Sequence, residues 1–277
     1  MGAKRLRAVM TGLAYALVTV SATAALLPVY WLLTGSVKPP QSLLRMPPEL
    51  WPHQFTLEHF HRLFELSPAG QWLLNSVLAA AVSTFSTVVL CTMAGYAFAK
   101  LEFPGRNMLF AACLATMMVP AQVTVIPLFL MVRSLGLIDT FLGLVLPTLV
   151  TAFGVFWMKQ FIQTLPNSLI EAARIDGGSE LMIFWQIAFP LAKPAVAVLA
   201  ILSFTANWNS FLWPMLVMVD NDHWTLPVGL ASLNDHFFSD YGLTMAGAAL
   251  AAVPMIVLFV ALQRYFLQGL TLGALKE

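Results

Sequence analysis

Side chains able to do chemistry are few in this chain, and they cluster. The 277 residues include 13 Asp and Glu, 5 His and 2 Cys. One cluster is residues 171–194, EAARIDGGSELMIFWQIAFPLAKP, where Glu171, Arg174, Asp176 and Glu180 are interleaved with apolar side chains. A second is Asn207, Trp208, Asn209 and Ser210, a polar break inside an apolar run. Aromatic faces stack on sugar rings and amides bond hydroxyls, so these four suit the path of a polar solute. Gln122, beside Pro120, and Asn75 offer the same chemistry more weakly. The plainer reading of such groups is bonding between helices and, for Trp208, anchoring at an interface. A third cluster, residues 218–243, has no Lys or Arg but holds Asp220, Asp222, His223, Trp224, Asp235, His236 and Asp240. It is equally fit to touch a partner or simply to be solvated.

Several chemistries are excluded. No glycine precedes any lysine, so the G-x-x-x-x-G-K-[ST] phosphate loop is absent. No Cys/His group has zinc spacing; Cys91 and Cys113 lie in apolar runs and read as packing residues. The apolar runs hold no carboxylate pair and no Ser/His/Asp set, which argues against an intramembrane enzyme. They are also nearly free of ionisable groups, which ion-driven pumps need for coupling. No metal and no catalytic residue is expected. A membrane chain with no energy source of its own but with an elaborate polar loop implies an energising partner.

Those clusters must be positioned by membrane helices. The chain is 59% hydrophobic and 10% charged, with mean hydropathy +0.80. Soluble domains carry about 25% charged residues, so the composition is that of a polytopic membrane protein. A net charge of +1 gives no sign of a nucleic-acid partner. Six runs are long enough to span, at about 11–33, 72–99, 108–132, 140–160, 191–217 and 244–266. The first contains Ala22-Thr23-Ala24, the A-x-A form of a signal cleavage site, yet its apolar run continues to Leu33 and suits a retained helix. Residues 34–71, rich in proline and aromatics, read as an ordered outer loop with a short helix near 57–64. Pro120 and Pro127 predict a kinked or broken third span, and residues 268–277 a Gly-containing tail. With the N-terminus inside, ten Lys and Arg fall on the inner side and four on the outer. That bias places both termini and the Glu171 loop in the cytoplasm.

Within that loop, Ser168 and Glu171 have capping-box spacing. With Pro166 and Asn167 they form a helix start, which predicts a short helix running to about Asp176. Gly177-Gly178 then permits a turn through positive φ, and a second short helix starts near Ser179. Such a pair can lie flat among the headgroups. It can also project as a docking element, with Ala172 and Ala173 allowing close approach and Glu171 reaching a basic group.

E-A-A at 171–173, Asp176-Gly177, Ile187, Pro190 and Pro194 together resemble the EAA loop of binding-protein-dependent ABC importer permeases. Further stretches resemble the carbohydrate, maltose-permease-like members. They are residues 96–106 (YAFAKLEFPGR), Val119-Pro120 with Ile126-Pro127, residues 208–214 (WNSFLWP), and residues 263–266 (QRYF) with 268–271 (QGLT). Phe189 departs from the aliphatic residue usual before Pro190, and Gly178 from a common Ala. The resemblance implies an all-α integral membrane fold of the type I importer kind: six transmembrane helices in a single domain, 1–277, with a coupling loop at about 161–190. It implies a heteromeric complex in a bacterial inner membrane. The partners are a second permease subunit, two ATP-binding subunits and an extracytoplasmic solute-binding protein. ATP and Mg²⁺ belong to those ATPase subunits, so no cofactor is expected in this chain. Glu171, Ala172, Ala173, Asp176 and Gly177 carry over as ATPase-docking positions, and Gln268, Gly269 and Thr271 as a weaker ATPase-facing tail. The expected function is import of a neutral sugar or oligosaccharide by alternating access. The alternatives are a permease for glycerol-phosphate or another polar solute and, in a different class, a passive channel.

Overall fold

The computed structural model describes the backbone of residues 2–236 and 240–274, and the side chains of residues 9–233 and 240–263. Every regular element among the described residues is helical. In chain order they are α1 (Gly2–Gly35), α2 (Pro40–Leu43), α3 (Glu58–Leu66), α4 (Ala69–Lys100), α5 (Arg106–Thr116) and α6 (Ala121–Ser134). Then come α7 (Phe141–Val145) with a 3-10 turn at Leu146–Thr148, α8 (Ala152–Gln163), α9 (Asn167–Ile175) and α10 (Glu180–Ile183). A π turn at Phe184–Ala188 leads into α11 (Phe189–Leu191), α12 (Lys193–Trp208) and α13 (Leu212–Val217). A 3-10 turn at Asn221–His223, α14 (Leu226–His236) and α15 (Tyr241–Ala274) complete the chain.

α1, α4 and α15 are each long and apolar enough to cross a membrane, and three bent pairs bring the possible spans to six. The bent pairs are α5 with α6 at 101°, α7 and its 3-10 turn with α8 at 43°, and Glu180–Leu191 with α12 at 80°. The third expected span is thus two helices rather than one kinked helix. Pro120 breaks it: it has no N–H to give and disfavours helix in the residue before it. Pro120 sits extended at ψ 134 as the N-cap of α6. Pro127 is absorbed inside α6. Within the expected tail, α15 continues to Ala274.

The chain forms two compact units. One comprises Met1–Ala69 and Leu230–Val253. Here the proline-rich segment is ordered by polar contacts. Lys38 is buried, donates to the Glu49 carbonyl, and lies 4.3 Å from the centre of the Trp31 ring. His59 Nε2 is 2.9 Å from the Lys38 carbonyl, and Arg62 pairs with Asp240 at 2.7 Å.

The other unit comprises Gly70–Gly229 and Pro254–Glu277. Its core joins α4, α8, the α9–α11 segment and α12 through Val88, Tyr96, Met158, Ile170, Phe184 and Leu199, among others. α4 and α8 approach closely at Gly95, where a Cβ would stand 2.7 Å from Met158 Cβ and 2.8 Å from the Lys159 nitrogen. At the break between α7 and α8, backbone groups within lipid cannot turn to water for partners. α4 brings donors there: Thr87 Oγ1 to the Thr148 carbonyl at 3.0 Å, and Cys91 Sγ at 3.5 Å to the Thr151 carbonyl, which also accepts from the Val155 amide at 3.1 Å.

Candidate functional site

α9 starts two residues earlier than the Ser168 capping box predicts. Pro166 is its N-cap, at φ −58, and no side chain caps it. Ser168 therefore stands in the first turn rather than ahead of it, and the Ser168–Glu171 box does not form. The helix is two-faced. Ile170 is 2% exposed and packs into the core, whereas Ile175 is 86% exposed. At the end of α9 the Gly177 and Gly178 amides donate to the carbonyls of Arg174 and Ala173, at 3.1 and 2.9 Å. Gly177 takes φ +83, a left-handed conformation that costs other residues roughly 1–2 kcal/mol. Gly178 does not share it. Ser179 then caps α10 as expected, accepting from the Met182 amide at 3.3 Å.

Polar contacts fasten α9 from behind to the last turn of α4. Lys100 Nζ donates to the Leu165 carbonyl at 2.7 Å and to Asn167 Oδ1 at 2.6 Å. Arg174 Nε pairs with Glu180 Oε1 at 2.6 Å, and Arg174 Nη2 donates to the Lys100 carbonyl at 3.2 Å. Tyr96 Oη donates to the other Glu180 oxygen at 2.7 Å. The Glu180 carboxylate raises the Arg174 pKa above its ordinary value, so the guanidinium stays charged. Beneath lies a ring cluster, Tyr96 to Phe184 at 5.7 Å and Phe184 to Phe189 at 5.8 Å.

Of the five docking candidates, Glu171, Ala172, Asp176 and Gly177 are exposed and Ala173 is half-buried against the core. Glu171 borders a cavity of about 600 Å³ that Lys100, Glu102, Arg106, Arg174 and Glu180 also line. The grip residues Tyr96, Lys100, Arg174 and Glu180 were not among the candidates. Arg174 and Glu180 are six residues apart, outside the i,i+3 and i,i+4 spacings that signal a helical pair. The side chains of Gln268, Gly269 and Thr271 lie outside the described residues.

The polar break is real, but its members diverge. α12 ends at Trp208 and Asn209 is its C-cap. Asn207 Nδ2 donates to the Ser203 carbonyl at 2.9 Å, and Asn209 Nδ2 to that of Thr205 at 2.9 Å. Trp208 is buried and stacks on Phe204 at 5.8 Å. Asn207 and Ser210 line a cavity of about 20 Å³ with Ser83, Thr148 and Thr225, room for about one water. Asn209 and Gln122 are exposed. Thus a single solute contact does not reach all four residues of the break. Asn75, for its part, donates to the Asp222 and Trp224 carbonyls at 2.8 and 2.9 Å.

In the third cluster an unforeseen residue is central. Asp139, at φ +59, accepts from the amides of Val219 (2.9 Å) and Asp220 (3.1 Å) and meets His223 Nδ1 at 3.0 Å. Partial burial pushes its pKa up, but these bonds outweigh that and hold the carboxyl below the usual range. The side chains of Asp235 and His236 lie outside the described residues.

Residues 91–271 match the family described as binding-protein-dependent transport system inner membrane component. The chain is similar to the arabinooligosaccharides transport system permease protein AraQ of Bacillus subtilis, 37% identical over 91% of this chain and 90% of the relative. It is 31% identical to the lactose transport system permease protein LacG of Rhizobium radiobacter, over 95% of each. It is also 31% identical to the sn-glycerol-3-phosphate transport system permease protein UgpE of Shigella flexneri, over 88% of this chain and 90% of the relative. The fold is similar to that of a chain in the crystal structure of a bacterial ABC transporter involved in import of the acidic polysaccharide alginate. The TM-score is 0.83, with 23% identity, over 93% of this chain and 96% of that one.

Proposed function

The chain belongs to the binding-protein-dependent transport system inner membrane components, and from that membership we propose that it carries a neutral sugar or oligosaccharide across the membrane by alternating access. It is a multi-pass permease component of the inner membrane, not an enzyme in its own right. ATP is hydrolysed on two separate subunits. One docks on α9 through Glu171, Ala172, Ala173, Asp176 and Gly177, the other on a second permease subunit. ATP and Mg²⁺ stay with those subunits. A binding protein delivers the solute from outside, and both ends of this chain lie in the cytoplasm, as the Lys and Arg bias requires.

The observation that carries this reading is α9 itself: four of its five docking candidates face outward while its back is fixed to α4. A headgroup-lying helix would need no such fixing. The neutral solute is favoured by where the cations stand. Lys100, Arg106, Arg133 and Lys193 stand at or next to helix ends, and Lys159, inside α8, is covered by the Phe110 ring at 4.0 Å. The names of AraQ and LacG point the same way, whereas UgpE supports glycerol phosphate as the second reading. Among the path candidates, exposed Asn209 is the stronger and buried Trp208 the weaker. The test is ATP-driven uptake by the complex purified from its native membrane, offered labelled arabinooligosaccharide, lactose and glycerol 3-phosphate in turn. Uptake of a neutral sugar alone supports the first reading; uptake of the phosphate ester alone replaces it.

A further inference from the structure

Both ends of α4 hold chain segments that are far away in sequence. At the inner end, Lys100 holds the start of α9 through Asn167 and the Leu165 carbonyl and accepts from Arg174 near its end, and Tyr96 reaches α9 through Glu180 of α10, which pairs with Arg174. At the other end, Trp72 Nε1 donates to the Asn221 carbonyl at 2.8 Å, and the Leu226 amide donates to Ser76 Oγ at 2.7 Å. Asn75 holds the Asp222 and Trp224 carbonyls between them. The Trp72 and Trp224 rings pack at 6.1 Å. The segment so held, residues 221–226, has only one 3-10 turn of its own ahead of α14. The His223 and Trp224 amides bond back to the Asp220 and Asn221 carbonyls, while α4 supplies partners to the Asn221, Asp222 and Trp224 carbonyls and to the Leu226 amide.

Between its ends α4 is stiff. It contains no proline, and the axis from Trp72 to Lys100 is about 42 Å long. Thr87 and Cys91 tie it to the α7–α8 break, and Gly95 brings it against α8. The covalent way out of α9 is softer, because it passes through Gly177 at positive φ.

We propose that α4 is a transmission rod that carries displacement of α9 to the outer segment 221–226, gripping one with Tyr96 and Lys100 and the other with Trp72, Asn75 and Ser76. This rests on α9 being the ATPase-docking helix. Tyr96, Lys100, Trp72 and Ser76 are then positioning residues: they touch neither ATP nor solute, but they decide whether motion at one face is felt at the other.

The test uses the whole importer with its partner subunits in lipid nanodiscs. Cys91 is replaced by serine, which keeps a donor toward Thr151, the other native cysteines by alanine, and a spin label is placed at V219C, an exposed position beside the gripped segment. In the otherwise unaltered protein a non-hydrolysable ATP analogue changes the label's mobility. Tyr96→Phe, which keeps the ring and loses the bond to Glu180, weakens that response at least several-fold. Trp72→Phe, which loses the bond to Asn221, does the same from the opposite end. The double variant is no worse than the weaker single one, since a rod cut twice is still one cut rod. A label response that survives both substitutions undiminished, or losses that multiply, overturns the proposal. Co-purification of the ATP-binding subunits keeps the two readings apart. If Glu171→Lys leaves it intact, the docking reading fails; if it is intact in Tyr96→Phe while the label is silent, the rod holds.

Discussion

Glu171, on α9, and Gly177, in the turn that ends it, do different jobs. Glu171 presents charge beside a cavity that already holds Arg106 and Arg174. Reversing it by Glu171→Lys should abolish ATP-driven uptake while leaving the chain in the membrane, which membrane fractionation and uptake assays check together. Gly177 supplies conformation. Nothing lies within 4 Å of a Cβ added there, so Gly177→Ala meets no clash and pays only the left-handed backbone cost, roughly 1–2 kcal/mol. Uptake should fall several-fold with unchanged membrane insertion. Asp139 makes a pH prediction. Its folded pKa is depressed, so the stabilisation it supplies is complete above the ordinary carboxylate value of about 4. It is lost as pH falls through the lower folded value. Thermal unfolding in detergent should show an acid-side loss in the native chain that Asp139→Asn lacks, since Asn tolerates the same φ.

Elements built from local rules were legible, and elements built from distant contacts were not. Ser179 capped α10 where a Ser before an acidic turn should, and the Gly177 turn fell where Gly-Gly allowed it. The capping box at Ser168 failed because Pro166 takes the N-cap two residues sooner, and Asn167 is held by Lys100, 67 residues away. The polar break at 207–210 could be read from composition, but not that its four side chains would part company around the end of α12. Pro120 announced a break without its 101° angle, which depends on the packing of α6. The α4–α8 contact was equally silent in sequence, since a Gly in an apolar run does not say what lies against it. It gives a prediction for the element: Gly95→Leu must push into Met158 and the Lys159 backbone, and over-packing of this kind costs about 1–3 kcal/mol or more. A lowered unfolding temperature of the purified chain, with buried Cys91, which lies on α4 against Gly154 of α8, gaining reactivity toward a membrane-permeant thiol probe, would show it.

At the scale of the whole molecule, the chain is a component waiting for others. It belongs to a family of transport components, its spans are nearly free of ionisable groups, and it has no phosphate loop. On the proposed reading the work it does is supplied through a surface, and among the described residues α9 is one that is both exposed and anchored. The measurement that tests this most directly is a mild-detergent pull-down of the chain from its native membrane, with mass spectrometry of what accompanies it. The account predicts a second permease and an ATP-binding subunit, the latter lost when Glu171 is changed to Lys. Recovery of the chain alone or as a homo-oligomer, under conditions where other membrane complexes survive, would contradict it and leave a passive channel as the better description.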